Sequence, residues 1–223
     1  MFNVPACIAT TRFEEARTVI QAHDEVTARL TPHHRMHAAA LFVDIEKVTG
    51  NWDAIRVLTP RVEAAVEANI ATPCATNVNS LMTCALAHFR LDDPEEALRL
   101  ERSADELGMQ GYRFEGPRVE NAVARGDRAE VERTLASWRP EGFWDYDALI
   151  AQLNGLIALG RRDEIEQEAA GLRVPGSYLD PFVVRALGFA RRDSAMVQEA
   201  AGLFEEIGLS WHAGDTRRLR PTM

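Results

Sequence analysis

Apolar residues recur along this chain at the intervals of three and four that characterise amphipathic helices. In the stretch 95–107, one helical face would carry Ala97, Leu100, Ala104 and Leu107. Segments rich in alanine, leucine and aromatic residues alternate with such stretches, at 33–49, 75–91, 115–125, 144–159 and 179–190. Almost no segment shows the period of two that is typical of a strand. The pattern therefore predicts an all-α fold.

A six-residue phrase recurs between these segments. Each copy begins with a residue that breaks or caps a helix. Its sixth position is the first that carries a residue strongly typical of a protein core. The copies are TRFEEA (11–16), GNWDAI (50–55), DDPEEA (92–97), GDRAEV (126–131), GRRDEI (160–165) and RDSAMV (192–197). From the second copy on, their starts lie 42, 34, 34 and 32 residues apart, close to the period of about 34 residues in tetratricopeptide helix pairs. We therefore interpret the phrase as the tight turn inside each helix pair.

The recurring pair predicts a single right-handed α-solenoid of about five tetratricopeptide-like helix pairs, which covers residues 1–223. The pairs would occupy residues 33–207, and a helix at 209–220 would cap the last of them. Ahead of the pairs, residues 1–30 would form an N-terminal segment and an unpaired helix.

The unpaired helix, at 11–30, has no first partner in the sequence, so the chain is expected to come from a longer protein. Its apolar residues cannot all be buried against the 33–49 helix, because a helix presents one stripe to one neighbour. We therefore expect Phe13 and Ile20 to contact a preceding domain of the same polypeptide or, in a homodimer, a second copy of the chain. The alternative is that residues 1–10 fold back and cover this end.

Composition narrows the classes of partner and the compartment. The net charge of −9 and the pI near 5.2 argue against nucleic-acid binding, which needs a basic face. The longest uncharged run, 68–89, contains asparagines, a proline and a histidine, so no membrane contact is expected. The three cysteines form no CxxC pair, and the N-terminus does not resemble a signal peptide, so a reduced, cytoplasmic protein is expected. Cys74 and Cys84 are expected to be small core residues.

Three stretches resemble one bacterial family: AHDEVTARLTPHHRMHAAAL (22–41), NIATPCATNVNSLMTCALA (69–87) and LFEEIGLSWHAGDTRRLR (203–220). They are similar to the C-terminal tetratricopeptide-like region of multidomain signalling proteins. Those proteins carry a class III nucleotide cyclase or an AAA-type regulatory ATPase further upstream. The resemblance extends over nearly the whole chain and implies a sensory or regulatory region that binds protein.

The sequence contains no phosphate-binding loop of the form GxxxxGK followed by Ser or Thr. The enzymatic domains of the resembled family are absent from this chain, so we expect no enzymatic activity, no catalytic residue and no cofactor. The main expectation is a non-catalytic, protein- or peptide-binding region. The alternatives are a free-standing adaptor that binds a protein in trans and a histidine-based metal-binding protein.

The histidines at the start of the 33–49 segment are the nearest approach to a metal motif. His33 and His37 would lie one turn apart on a helix, a spacing at which two imidazoles can share zinc. However, HHRMH lacks the glutamate of HExxH, and no third ligand is evident in the sequence. The alternative is a set of polar residues at a helix start.

Two further groups of residues are candidates for binding a partner. The first helix of each tetratricopeptide pair lines the concave surface, where polar side chains can hold a peptide. The polar candidates are His34, Arg35, Asn77, Asn79 and His88; the alternative for them is capping or simple solvation. The aromatic candidates lie in the loop SWRPEGFWDYD (137–147), namely Trp138, Phe143 and Trp144. These rings would either anchor a partner or fill the joint between two repeats.

Overall fold

A computed structural model of the protein describes residues 3–109, 112, 114–140 and 145–219. Within these ranges the chain forms thirteen α-helices and no strand, which confirms the predicted all-α class. The helices are α1 Asn3–Ala9, α2 Phe13–Thr27, α3 Pro32–Thr49, α4 Trp52–Ala68, α5 Ala75–Arg90, α6 Pro94–Glu106, α7 Glu115–Ala124, α8 Arg128–Ser137, α9 Tyr146–Leu159, α10 Arg162–Ala169, α11 Asp180–Arg191, α12 Ser194–Glu206 and α13 Ser210–Arg218. The five predicted alanine- and aromatic-rich segments match α3, α5, α7, α9 and α11 to within two residues at each end.

The helices divide into two compact units, of which the first contains α2 to α6 and the second contains α7 to α13. In the first unit, α2 packs on α3, α3 packs on α4 and α5, and α5 also packs on α4 and α6. In the second unit, α7 packs on α8 and α9, α9 packs on α8, α10 and α11, and α11 packs on α10 and α12. The last helix, α13, packs on α12. The packing in both units therefore links helices that are neighbours or next neighbours in the chain.

The six copies of the repeated phrase all begin at a residue with left-handed backbone conformation. The φ angle of this first residue lies between 57° and 74° at Thr11, Gly50, Asp92, Gly126, Gly160 and Arg192. The N–H of the next residue donates to the carbonyl five residues earlier, over 2.8–3.0 Å in every copy. This is the Schellman motif that ends a helix with a left-handed residue. The prediction that the phrase marks a tight turn between helices is therefore confirmed.

The sixth residue of each phrase lies in the first turns of the new helix and is buried in the core. All six are at most 6% exposed: Ala16, Ile55, Ala97, Val131, Ile165 and Val197. A seventh copy, GLSWHA (208–213), joins α12 to α13 in the same way. Gly208 has a φ of 80°, and the N–H of Leu209 donates to the carbonyl of Phe204 over 2.8 Å. The spacing pattern missed this copy because only one helix, α12, separates it from the previous copy, whereas two helices separate the other copies.

The structure differs in two respects from the premises of the N-terminal expectation. The helix at 11–30 does have a preceding helix, because Thr11 begins the turn that joins the seven-residue α1 to α2. Phe13 and Ile20 are also not bare, since they are 8% and 0% exposed in the single chain. With Ala16 they form one stripe at intervals of three and four, and one stripe is what a helix buries. Their burial removes the reason for assigning Phe13 and Ile20 to a dimer or domain contact.

Among the described helices, none combines the length and the apolar character needed to cross a membrane.

Candidate functional site

One end of the first unit brings together the starts of two parallel helices. Helix α3 begins at Pro32 and α5 begins at Ala75, and the intervening α4 packs on both of them. The first helical turns of α3 carry His33 and His37, and the residue before α5 is Cys74. Because α3 and α5 pack on each other, these three side chains meet although they come from separate parts of the sequence.

The side chains of His33, His37 and Cys74 form a compact cluster, which we call the His–Cys cluster. The Sγ atom of Cys74 lies 3.7 Å from Nε2 of His37. The rings of His33 and His37 pack edge to face, with centroids 4.7 Å apart. One ligand-type atom from each residue lies within 4.8 Å of the other two, and all three residues are half-buried. Two imidazoles and a thiol are groups that bind transition metals.

A network of buried polar side chains fixes the position of Cys74. The Oδ1 atom of Asn77 accepts hydrogen bonds from the backbone N–H of Cys74 over 3.3 Å and from its thiol over 3.4 Å. The same oxygen accepts from Nδ2 of Asn69 over 3.0 Å. Thr72 in turn donates to the Oδ1 of Asn69 over 2.8 Å. Asn69 and Asn77 are buried, so the thiol is held by the packed interior of the unit rather than by a loop.

Electrostatics favour neutral imidazole at His37. Burial lowers the pKa of His37, and the neighbouring His33, His34 and His23 lower it further. A neutral imidazole retains the nitrogen lone pair that a metal ion requires. The Nδ1 atoms of His23 and His33 are buried and have no hydrogen-bond partner within the described residues. His34 is exposed, and its Nδ1 lies 2.8 Å from the hydroxyl of Thr31.

The sequence pattern found two members of the His–Cys cluster and misassigned the third. Cys74 was expected to be a core residue, but it is half-buried beside a histidine that lies 37 positions earlier. Cys84, by contrast, is buried as expected, and burial raises the pKa of its thiol to about 12. The sequence did contain one signal for Cys74. Cys74 immediately precedes the first helix of one predicted pair, and His33 lies at the start of the first helix of another. Equivalent helix starts fall at the same end of a helical array.

The polar candidates for partner binding separate into exposed and buried residues. His34, Arg35 and Asn79 are exposed. Asn77 and His88, which were expected to contact a partner, are buried, so their side chains are not accessible to one in the single chain. Asn77 belongs to the network around Cys74, and Nδ1 of His88 lies 2.9 Å from the carboxylate of Asp93.

The burial of these two residues follows from the position of α5. Every residue from 80 to 89 is buried, so this part of the helix presents no face to solvent. Within its unit α5 packs against α3, α4 and α6, which leaves little of its circumference free. A periodic sequence pattern identifies such a helix but does not show how many neighbours surround it.

Of the three aromatic candidates, only Trp138 lies within the described residues. Its side chain is buried, and two atoms of its indole ring lie 3.6 Å from the position that a Cβ would occupy on Gly116. Trp138 therefore has the packing role that was the alternative to partner binding. Phe143 and Trp144 lie outside the described residues.

Comparison with known proteins identifies no family for this chain. The sequence matches no protein-family model and no curated protein, and its fold matches no solved structure at a significant level.

Proposed function

We propose that this chain is a tetratricopeptide-like α-solenoid that binds a protein or peptide and has no catalytic activity of its own. The observation that carries the proposal is the recurrence of one turn at seven places, each with a left-handed first residue and a buried sixth residue. Repetition of one helix–turn–helix element is the basis of solenoid proteins.

The packing within each unit supports the solenoid. In solenoids each repeat contacts its neighbours along the chain, and both units show helix contacts of this kind. The first helix of a pair, such as α5 or α11, is buried over most of its length, whereas its second helix, α6 or α12, buries a single stripe. We therefore retain about five right-handed helix pairs and α13 as the terminal cap in the proposal.

The partner would contact the turn between α2 and α3. Val26 and Leu30 are 65% and 43% exposed and lie four residues apart in the chain. The guanidinium of Arg35 donates to the carbonyl of Leu30 over 2.7 Å, which places a cation beside them, and His34 is exposed one residue earlier. Apolar residues next to the Arg35 cation suit a segment with apolar and acidic side chains. We call Val26, Leu30, His34 and Arg35 the α2–α3 surface.

We further propose that the chain is the regulatory C-terminal region of a signalling protein with a cyclase or ATPase domain. This part of the proposal is supported by the resemblance of residues 22–41, 69–87 and 203–220 to such regions. The partner of the α2–α3 surface would then be the preceding domain of the same polypeptide, and binding would alter the activity of that domain.

The test begins with the reading frame upstream of Met1. If it continues, the preceding domain is purified separately and mixed with this chain in a calorimeter. We expect binding, and we expect Leu30→Asp to weaken it at least about tenfold, because a carboxylate would replace an apolar contact. Val57→Asp is the matched control, since Val57 is 76% exposed on α4. Equal loss of affinity in both variants would contradict the proposed surface, and a reading frame that begins at Met1 would favour an adaptor acting in trans.

The absence of catalysis is tested on the purified chain. We expect no nucleotide cyclisation and no ATP hydrolysis above the buffer rate. Turnover that disappears on a point substitution in this chain would overturn the non-catalytic assignment.

A further inference from the structure

We propose that His33, His37 and Cys74 bind a zinc ion, which fastens the start of α3 to the start of α5. The proposal goes beyond protein binding and does not depend on it. It rests on the convergence of three ligand-type side chains from two helix starts.

The separations in the His–Cys cluster are close to those of a zinc site. Zinc lies about 2.0–2.1 Å from histidine nitrogen and about 2.3 Å from thiolate sulfur. In a tetrahedron these bonds place nitrogen and sulfur about 3.5 Å apart and two nitrogens about 3.3 Å apart. The distance from Nε2 of His37 to Sγ of Cys74 is 3.7 Å. The full set lies within 4.8 Å, so the widest separation has to close by at most about 1.3–1.5 Å. Since the His37–Cys74 pair is already close, that change falls on His33.

The ligand types select the class of metal. Thiolate and imidazole are preferred by zinc and other borderline or soft ions, whereas calcium and magnesium require oxygen ligands. The metal-binding group found within the described residues contains no carboxylate. A water molecule would complete four-coordination, as in zinc sites that have three protein ligands.

The surroundings already hold the ligands in place. Asn77, which is itself bonded to Asn69, fixes the backbone of Cys74 from the buried side. The hydrogen bond from the thiol to Asn77 is given up when the sulfur loses its proton to bind zinc. The two histidines lie on successive turns of a helix that is packed on α2, α4 and α5. Such positioning by neighbouring groups is typical of sites whose ligands need little rearrangement.

Binding has a defined proton balance. The Cys74 thiol loses its proton when sulfur bonds to zinc, and the imidazoles bind through lone pairs on nitrogen. Each zinc ion therefore releases one proton from the cysteine, in addition to any carried by the histidines at the chosen pH. Because zinc binds the folded arrangement, it also raises the melting temperature.

The test uses the full, untagged chain and two probes, zinc and cobalt(II). We expect elemental analysis after dialysis to find one zinc ion per chain. Cobalt titration is expected to produce a thiolate-to-cobalt charge-transfer band together with the intense d–d bands of four-coordinate cobalt, and zinc is expected to displace the cobalt.

Four variants assign the ligands. Cys74→Ser should abolish the charge-transfer band while the fold is retained, because serine is a favoured residue before a helix. His33→Ala and His37→Gln should each weaken zinc binding at least about tenfold, the loss expected even when an outer-shell partner is removed. His34→Ala is the matched control, because His34 is the neighbouring histidine and is bonded to Thr31 instead. Circular dichroism checks that each variant remains helical.

Three results would overturn the proposal. One is the absence of stoichiometric zinc or cobalt binding by the wild-type chain. The second is a charge-transfer band that survives in helical Cys74→Ser. The third is an equal loss of affinity in His34→Ala and His37→Gln, which would show that binding does not require this arrangement of ligands.

Discussion

Replacement of Gly188 by alanine tests the close approach of α11 and α12, the last helix pair in the second unit. A Cβ atom on Gly188 would lie 2.9 Å from the backbone nitrogen of Val197. It would also lie 3.0 Å from Cβ of Met196 and from Cγ2 of Val197. The carbonyl of Gly188 accepts the turn hydrogen bond from the N–H of Asp193 over 2.9 Å, so the two helices cannot separate without straining that bond.

Two opposing contributions set the size of the effect. Alanine is a better helix former than glycine by about 1 kcal/mol. Forcing a methyl group into a filled interior typically costs about 1–3 kcal/mol, and the upper part of that range applies where the obstacle is backbone. Gly188→Ala is therefore expected to lower the free energy of unfolding by about 1–2 kcal/mol. For a chain of this size the melting temperature would fall by about 2–4 °C per kcal/mol.

Two other glycines in the second unit supply the controls. Gly202 lies in α12. Among the described residues, a Cβ built on Gly202 would have no heavy atom within 4 Å except those of its chain neighbours and of the nearby backbone of its own helix. Gly202→Ala should therefore raise the free energy of unfolding by about 0.5–1 kcal/mol. At Gly155 the Cβ would meet side-chain methyl groups of the buried Leu135 and Val119 at 2.9 Å, but no backbone atom, so Gly155→Ala should lie between the other two variants.

Urea unfolding followed by circular dichroism measures all three variants under identical conditions. The expected order of stability is Gly202→Ala, then Gly155→Ala, then Gly188→Ala. If Gly188→Ala is as stable as Gly202→Ala, then the helices do not approach as closely as described, and the packing argument is refuted.

Two further predictions concern the cysteines and the repeated turn. In the native protein a thiol reagent should modify Cys74 rapidly and leave Cys7 and Cys84 unmodified, because Cys7 and Cys84 are buried. A fast phase of thiol modification that persists in Cys74→Ser would contradict this prediction. Arg192 has a φ of 57°, a conformation that costs a non-glycine residue roughly 1–2 kcal/mol. Arg192→Gly should therefore stabilise the chain by about 1 kcal/mol, whereas Gly160→Ala, at the equivalent turn, should destabilise it by a similar amount. Both changes are measured by urea unfolding, and a change of the opposite sign in the free energy of unfolding of either variant would contradict the prediction.

Local sequence determined the helices and the turns of this protein. Asp92 and Arg192 take the same left-handed conformation as Gly50 and Gly160, although their side chains differ. What the copies share is a residue that stops a helix, a residue that precedes the next one, and an apolar residue at the sixth place. Each of these acts within a few residues along the chain, through backbone conformation and the helical period, so a linear pattern is enough to identify them.

The tertiary structure decided which residues meet and which remain exposed. Cys74 lies beside His37 because α3 and α5 pack in parallel, and no local pattern contains a separation of 37 residues. His88 is buried because several helices surround α5, whereas Arg35, in the first turn of α3, is exposed. These outcomes depend on the number and direction of neighbouring helices. Helical periodicity specifies an apolar face, but only the packing of whole helices determines what that face contacts.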